Sequence, residues 1–210
     1  MCYTKKMILL QLLFLDPVIF FIILISIILA ISLHEYSHAW MAYFLGDSTA
    51  KQQGRLTINP FAHLDPIGTI VILISGFGWG RPVPFNPNNL KNRKWGSTLV
   101  GLAGPFSNFF MASIVGLIMR FFPNLDPAFK IYFSLFVWIN LTLGIFNLMP
   151  IPPLDGSHIF LSVAPEKVKI FFIQNSIFLF IGLVLFVYYI GLDFIAKPLF
   201  ILITGLPLPF

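Results

Sequence analysis

The sequence predicts an all-α fold: a polytopic helical bundle in a membrane, with five to six membrane segments, one of them re-entrant, and a short β-hairpin-like segment after the first span. Three observations carry this. Only 10% of the 210 residues are charged while 58% are hydrophobic, against about a quarter charged in a soluble domain. The mean hydropathy is +0.89. The apolar residues also fall into separate runs, several close to the roughly 20 residues that cross a bilayer as a helix, divided by proline- and asparagine-rich breaks.

Taken in order, residues 1–15 place Lys5 and Lys6 before the apolar MILLQLLFL. That resembles a signal peptide, but no small-residue cleavage site follows, so the segment is expected to be retained at or in the membrane. The first span covers residues 18–45, and Gly46-Asp47-Ser48 supplies its stop. Residues 67–79 are apolar but too few to cross straight, so this second segment is re-entrant or packed inside the protein. The third span, residues 97–122, is bounded by Pro123. The fourth, residues 131–149, is ended by Pro150, Pro152 and Pro153, which cannot continue a helix. A fifth covers residues 170–190, and the tail 194–210, with Pro198, Pro207 and Pro209, forms a broken sixth.

Between the first two segments, GRLTI at residues 54–58 alternates like a short strand. It is either an edge on which an extended peptide pairs or a simple polar hairpin. The stretch RPVPFNPNNLKNRKW before the third span reads as a loop. No stretch is long enough for a further soluble domain, so residues 1–210 are expected to form one membrane-embedded domain. Cys2 is the single cysteine and excludes an intramolecular disulfide. The net charge of +5 does not point to nucleic acid, because the basic residues sit in short loops between apolar runs. Eight of the thirteen Lys and Arg lie between residues 46 and 96 or at Lys167 and Lys169. If the second segment dips in and returns, those eight share one face, which the positive-inside tendency makes cytoplasmic.

The first span ends in SLHEYSHAW, where ionisable residues sit at a depth at which unpaired charge costs several kcal/mol. His34 and His38 are four residues apart, so on a helix they stack on one face about one turn apart. That spacing suits two imidazoles on one zinc ion, with Glu35 placed to act as general base towards a water on the open side. Such a zinc wants a third protein ligand. The fourth span ends in NLMPIPPLDGSH, residues 147–158, where the proline break lets Asp155 turn back into the bundle. His34 lies 16 residues past Val18, roughly 24 Å along a helix and so near the far face. The fourth span runs the same way as the first, so both motifs arrive at the same face. His63 and His158 are rival third ligands. A polar cluster that only joins helices by hydrogen bonds is the competing reading. It accounts poorly for a Glu and two His at ligand spacing.

These residues resemble the site-2 proteases, zinc metalloproteases that cut within or beside the membrane. Both signatures of that family are complete: HExxH at His34–His38, and N-x-x-P-x-x-x-L-D-G from Asn147 through Pro150 to Asp155 and Gly156. GRLTINPFAHLDPIGT, GWGRPVPFNP and LAGPFSNFF also look like its short prokaryotic members, without an added PDZ or CBS domain. The resemblance implies an intramembrane endopeptidase in a prokaryotic plasma membrane. It implies one Zn2+ per chain on His34, His38 and Asp155, Glu35 as general base, and an active site nearer the cytoplasmic face. Its partners would be the lipid bilayer and a membrane-anchored protein or peptide substrate, with Asn147 either bonding the substrate backbone or the oxyanion or serving as interhelical glue. Asn140, seven residues earlier on the same helix face, reads as interhelical glue, and Asn108, beside Gly104 and Pro105, as close packing at a kink. The alternatives are a zinc-binding membrane transporter or sensor, or a relative that binds transmembrane helices without cutting them.

Overall fold

The structure, a computed structural model, describes residues 9–75 and 78–209, so the expectation for residues 1–8 lies outside the described residues. Ten α-helices occur among the described residues. Helix α1 (Leu9–Leu15) precedes the long α2 (Pro17–Phe44), followed by one turn of α3 (Thr49–Gln52) and α4 (Pro66–Ser75). Then come α5 (Arg93–Phe121), α6 (Pro127–Asn147), α7 (Gly156–Val163), α8 (Glu166–Gln174), α9 (Ser176–Tyr189) and α10 (Asp193–Thr204). Three of the described helices are long and apolar enough to cross a membrane: α2, α5 over Trp95–Phe121, and α6. Helices α8 and α9 make a fourth span if they are taken as one span bent by 72°.

The sequence sets these boundaries through side-chain caps. Asp16 accepts from the Ile19 amide at 3.1 Å and Pro17 opens α2. Asn92 accepts from the Trp95 amide at 3.1 Å, and Asp126 from the Ala128 amide at 2.8 Å with Pro127 at the first helical position of α6. Each cap satisfies an N–H that the first helical turn leaves without a partner. The expected fifth span is broken at Asn175, whose side-chain amide donates to the Phe171 carbonyl at 2.8 Å.

The second segment, too short to cross, turns back on itself. Helix α4 leaves the loop, and the chain returns so that Leu64 and Gly80 form an isolated antiparallel bridge. Glycine is required on the way: a Cβ on Gly68 would run into the Trp79 carbonyl, and one on Gly78 into the Gly68 carbonyl. The β-hairpin expected at residues 54–58 does not form; these residues run as turn and irregular chain, and that bridge is the only strand pairing among the described residues. The chain beyond Gly80 carries Pro82 and Pro84, which have no N–H to extend a ladder. Arg55 donates instead to the Arg81 and Pro82 carbonyls, at 2.5 and 3.3 Å.

Helices α2, α5 and α6 pack together at the centre. Helix α10 closes on α5 and α6 through the fully buried Phe200, which meets Ala112, Met119, Val137 and Leu141. Trp138 packs towards the same cluster, with its ring 6.4 Å from that of Phe200. Helix α1 sets Leu9 and Leu12 against Phe20, Ile31 and Ile72. Beyond α2, the fully buried Asp47 ties the loop before α5 to the helix end. Its carboxylate accepts from the Thr49 amide and hydroxyl at 3.1 and 2.5 Å, from the Asn86 amide at 2.6 Å and from the Asn89 side chain at 2.9 Å. Burial pushes its pKa up, but these hydrogen bonds outweigh burial and hold it below the usual aspartate value.

Candidate metal centre

His34 and His38 project from one face of α2 where it crosses α5, and both are buried, at 5% and 8% exposure. Their Nε2 atoms lie 3.0 Å apart. Asp155, from the loop after α6, reaches the same point, with Oδ2 2.9 Å from His34 Nε2 and Oδ1 3.4 Å from His38 Nε2. It occupies the N-cap position of α7 but makes no side-chain cap. Tight backbone turns from Leu154 to the Ser157 amide and from Asp155 to the His158 amide, each 3.0 Å, serve the first amides instead, so the carboxylate is left to face the histidines.

Protons on the far sides of the rings decide what the near sides present. His38 Nδ1 lies 2.6 Å from the Val100 carbonyl, which can only accept, so this nitrogen carries the hydrogen. His34 Nδ1 donates to Asn108 Oδ1 at 2.7 Å. That amide's orientation is assigned by its NH2, which faces the Ala30 carbonyl at 3.2 Å and Asn140 Oδ1 at 3.1 Å. In their neutral forms both imidazoles therefore turn bare Nε2 lone pairs towards each other and towards a carboxylate. Three converging acceptors repel unless a cation or proton lies among them, and Asp155 Oδ2 is buried without a hydrogen-bond donor.

The donor set fits zinc. Two imidazole nitrogens and one carboxylate oxygen lie within 4.8 Å of one another. Bonds of about 2.0–2.1 Å in a tetrahedron set neighbouring ligand atoms about 3.3 Å apart, close to the spacings found. The space itself is kept by Gly104 in α5, since a Cβ there would strike His38 Nε2 and lie 2.5 Å from His34 Nε2.

Glu35, one residue from His34, has its Oε2 2.9 Å from the Val83 amide, which donates to it and ties it to the loop after Gly80. Of the rival ligands, neither joins the cluster. His63 is fully buried, donates from Nε2 to the Thr57 carbonyl at 2.7 Å and leaves Nδ1 without a partner. His158 is half-buried, with its ring edge towards Phe85 at 5.9 Å. Asn147 is half-buried at the end of α6 and donates to its own Leu143 carbonyl at 3.1 Å. Asn108 departs from the kink-packing expectation, because its amide bonds a histidine of the cluster. The GPFSN stretch held the one available signal, a glycine and an asparagine four residues apart and hence on one helix face. An open apolar pocket of about 340 Å³, which none of His34, His38 and Asp155 lines, lies against Met41 of α2, Leu99, Ala103, Pro105 and Phe106 of α5, and Leu148 after α6.

The comparisons with known proteins agree with this chemistry. Residues 124–189, which include Asp155 and Gly156, match the model of peptidase family M50. A Bacillus subtilis protein named "Putative zinc metalloprotease YwhC" is 42% identical over 182 residues, 80% of this chain and 81% of its own length. "Putative zinc metalloprotease Rip2" of Mycolicibacterium smegmatis is 30% identical over 66% of this chain and 55% of its own. "Zinc metalloprotease MJ0392" of Methanocaldococcus jannaschii is 25% identical over 71% of this chain and 35% of its own. No solved structure matches. With identity at that level across four-fifths of both chains, the protein belongs to peptidase family M50, the site-2 protease family, and is a metalloprotease.

Proposed function

We propose that the chain acts as a single membrane-embedded domain that hydrolyses peptide bonds in or near transmembrane segments of membrane-anchored proteins. The observation that carries this reading is the convergence of His34, His38 and Asp155 on one point beside Glu35. One zinc ion per chain, held by these three residues, would supply Lewis acidity to a water and to the scissile carbonyl. Glu35 takes the proton from that water and returns it to the leaving nitrogen. The Val83 amide orients its carboxylate. Asn147, half-buried at the last turn of α6, hydrogen-bonds the substrate backbone or the oxyanion. The open apolar pocket at Met41 and Leu148 accepts an apolar side chain of the substrate, in keeping with a substrate drawn from the bilayer. The distribution of Lys and Arg supports a site nearer the cytoplasmic face, and bacterial and archaeal relatives support a prokaryotic plasma membrane.

The test is zinc content together with cleavage of a labelled single-span peptide in detergent, for wild type and Glu35→Gln. One zinc per chain in both, with product from wild type alone, is the expected result. Zinc lost from Glu35→Gln would make Glu35 a ligand and overturn its role as base. Zinc held by both with no cleavage by either would favour a transporter, a sensor or a non-catalytic relative.

A further inference from the structure

We propose that Asn140 and Asn108 act in series as positioning residues, holding His34 in the tautomer that presents a bare nitrogen to the metal. The inference rests on His34 being a zinc ligand, as the reading above has it. Both amides are fully buried where α2, α5 and α6 meet. An amide can face either way, and here every link has only one direction that satisfies it.

The series starts at a backbone carbonyl. Asn140 donates from Nδ2 to the Phe136 carbonyl at 2.9 Å, and because that oxygen only accepts, Asn140 Oδ1 is turned towards α5. There it accepts from Asn108 Nδ2 at 3.1 Å, while the same NH2 donates to the Ala30 carbonyl at 3.2 Å. Asn108 Oδ1 is therefore the atom that meets His34 Nδ1 at 2.7 Å, and the imidazole proton is held there. If Asn108 were reversed, its NH2 would face His34 Nδ1 and the ring proton would move to Nε2, the nitrogen aimed at Asp155 and His38. Its Oδ1 would then oppose the Ala30 carbonyl and Asn140 Oδ1, oxygen against oxygen. His38 needs no such series, because its Nδ1 meets a backbone carbonyl that cannot turn over.

Interhelical glue, the plain alternative, gives Asn140 no effect on a metal it does not touch. The polarity of the series gives it one, because with Asn140 gone the Ala30 carbonyl alone holds the Asn108 NH2 in place and the cost of turning Asn108 over falls. Outer partners of metal-bound histidines typically change affinity by about ten- to a hundredfold, and the same range is expected here.

Zinc affinity is measured on the purified full chain in detergent by competition with a chromophoric chelator, and coordination by the visible spectrum of the cobalt(II)-loaded protein. Asn108→Leu is expected to weaken zinc binding about ten- to a hundredfold, and Asn140→Leu by about tenfold, because the Ala30 carbonyl still holds Asn108. The double variant should be no weaker than Asn108→Leu, since the second change acts only through the first. Asn140→Thr keeps the polarity of its link, its hydroxyl donating to the Phe136 carbonyl as that of Thr142 does to Trp138 and its oxygen accepting from Asn108, and should hold zinc within about threefold of wild type with an unchanged cobalt spectrum. Wild-type affinity in Asn140→Leu, losses that multiply in the double variant, or an Asn140→Thr as weak as Asn140→Leu would each overturn the series. Should the leucine variants fail to fold, Asn108→Ala and Asn140→Ala take their places with the same outcomes. Wild type without zinc would instead remove the metal reading on which the series rests.

Discussion

Replacing Gly104 with alanine adds a single methyl directly against the two histidines. On an open helix that change stabilises by about 1 kcal/mol. At Gly104 the new Cβ would lie 2.5 Å from His34 Nε2 and 2.6 Å from His38 Cε1, where ordinary contacts begin near 3.4 Å. The rings must therefore withdraw by about 0.9 Å, whereas ligand positions in a zinc site tolerate about 0.2 Å. The loss of zinc affinity should exceed a hundredfold, and overpacking should cost about 1–3 kcal/mol of stability. Chelator competition and thermal unfolding in detergent read the two effects separately. Gly182→Ala, on α9 with nothing within 4 Å of a new Cβ, is the control and should bind zinc normally. Stoichiometric zinc at wild-type affinity in Gly104→Ala would refute the placement of the metal between the two histidines and α5.

Other expectations concern the residues around that point. Asp155→Ala should lose zinc by at least about a hundredfold while keeping the helix content of wild type by circular dichroism, since the start of α7 is closed by backbone turns rather than by the carboxylate. Asp47→Asn should destabilise by about 2 kcal/mol, because one buried carboxylate accepts four hydrogen bonds and the replacement amide cannot repeat them all. Asp47 has a folded-state pKa below its usual 3.8, so its contribution is full above that value and fades as pH falls through the lowered one. Thermal midpoints recorded from pH 6 downwards should therefore converge for wild type and Asp47→Asn below pH about 4. A constant gap across that range would show that ionisation of Asp47 is not what holds the loop.

Much of the candidate site was legible in the sequence because the residues that converge there obey local rules. His34 and His38 share a helix face by spacing alone, and Asp155 stands out as a carboxylate behind a proline break at the end of an apolar span. The outer partners were not legible. Whether Asn108 packs at a kink or bonds a histidine depends on the rotation of α5 against α2, which is set by apolar contacts along the whole interface. Val100 acts through its carbonyl, so nothing in its side chain marks it. The hairpin expectation at residues 54–58 failed for a related reason: alternation is a local signal, whereas pairing requires a partner with free N–H groups, and Pro82 and Pro84 deny them. The bend at Asn175 was hidden by hydropathy, which scores residues 170–190 as one apolar run and carries no information on its direction.

The anchoring of the three ligands bears on what the metal means to the protein as an object. In small zinc domains the ion is the keystone, and removing it collapses the fold. Here each ligand is secured from behind: His38 by the Val100 carbonyl, His34 by Asn108, and Asp155 by the turn that opens α7. On the proposed reading a zinc ion would be held in a seat that these contacts shape, rather than one the ion folds around itself. Stripping it with a chelator should leave helix content unchanged, and returning it should restore the loaded state without refolding. An empty and a loaded chain would then share one fold and differ only in whether the site can act.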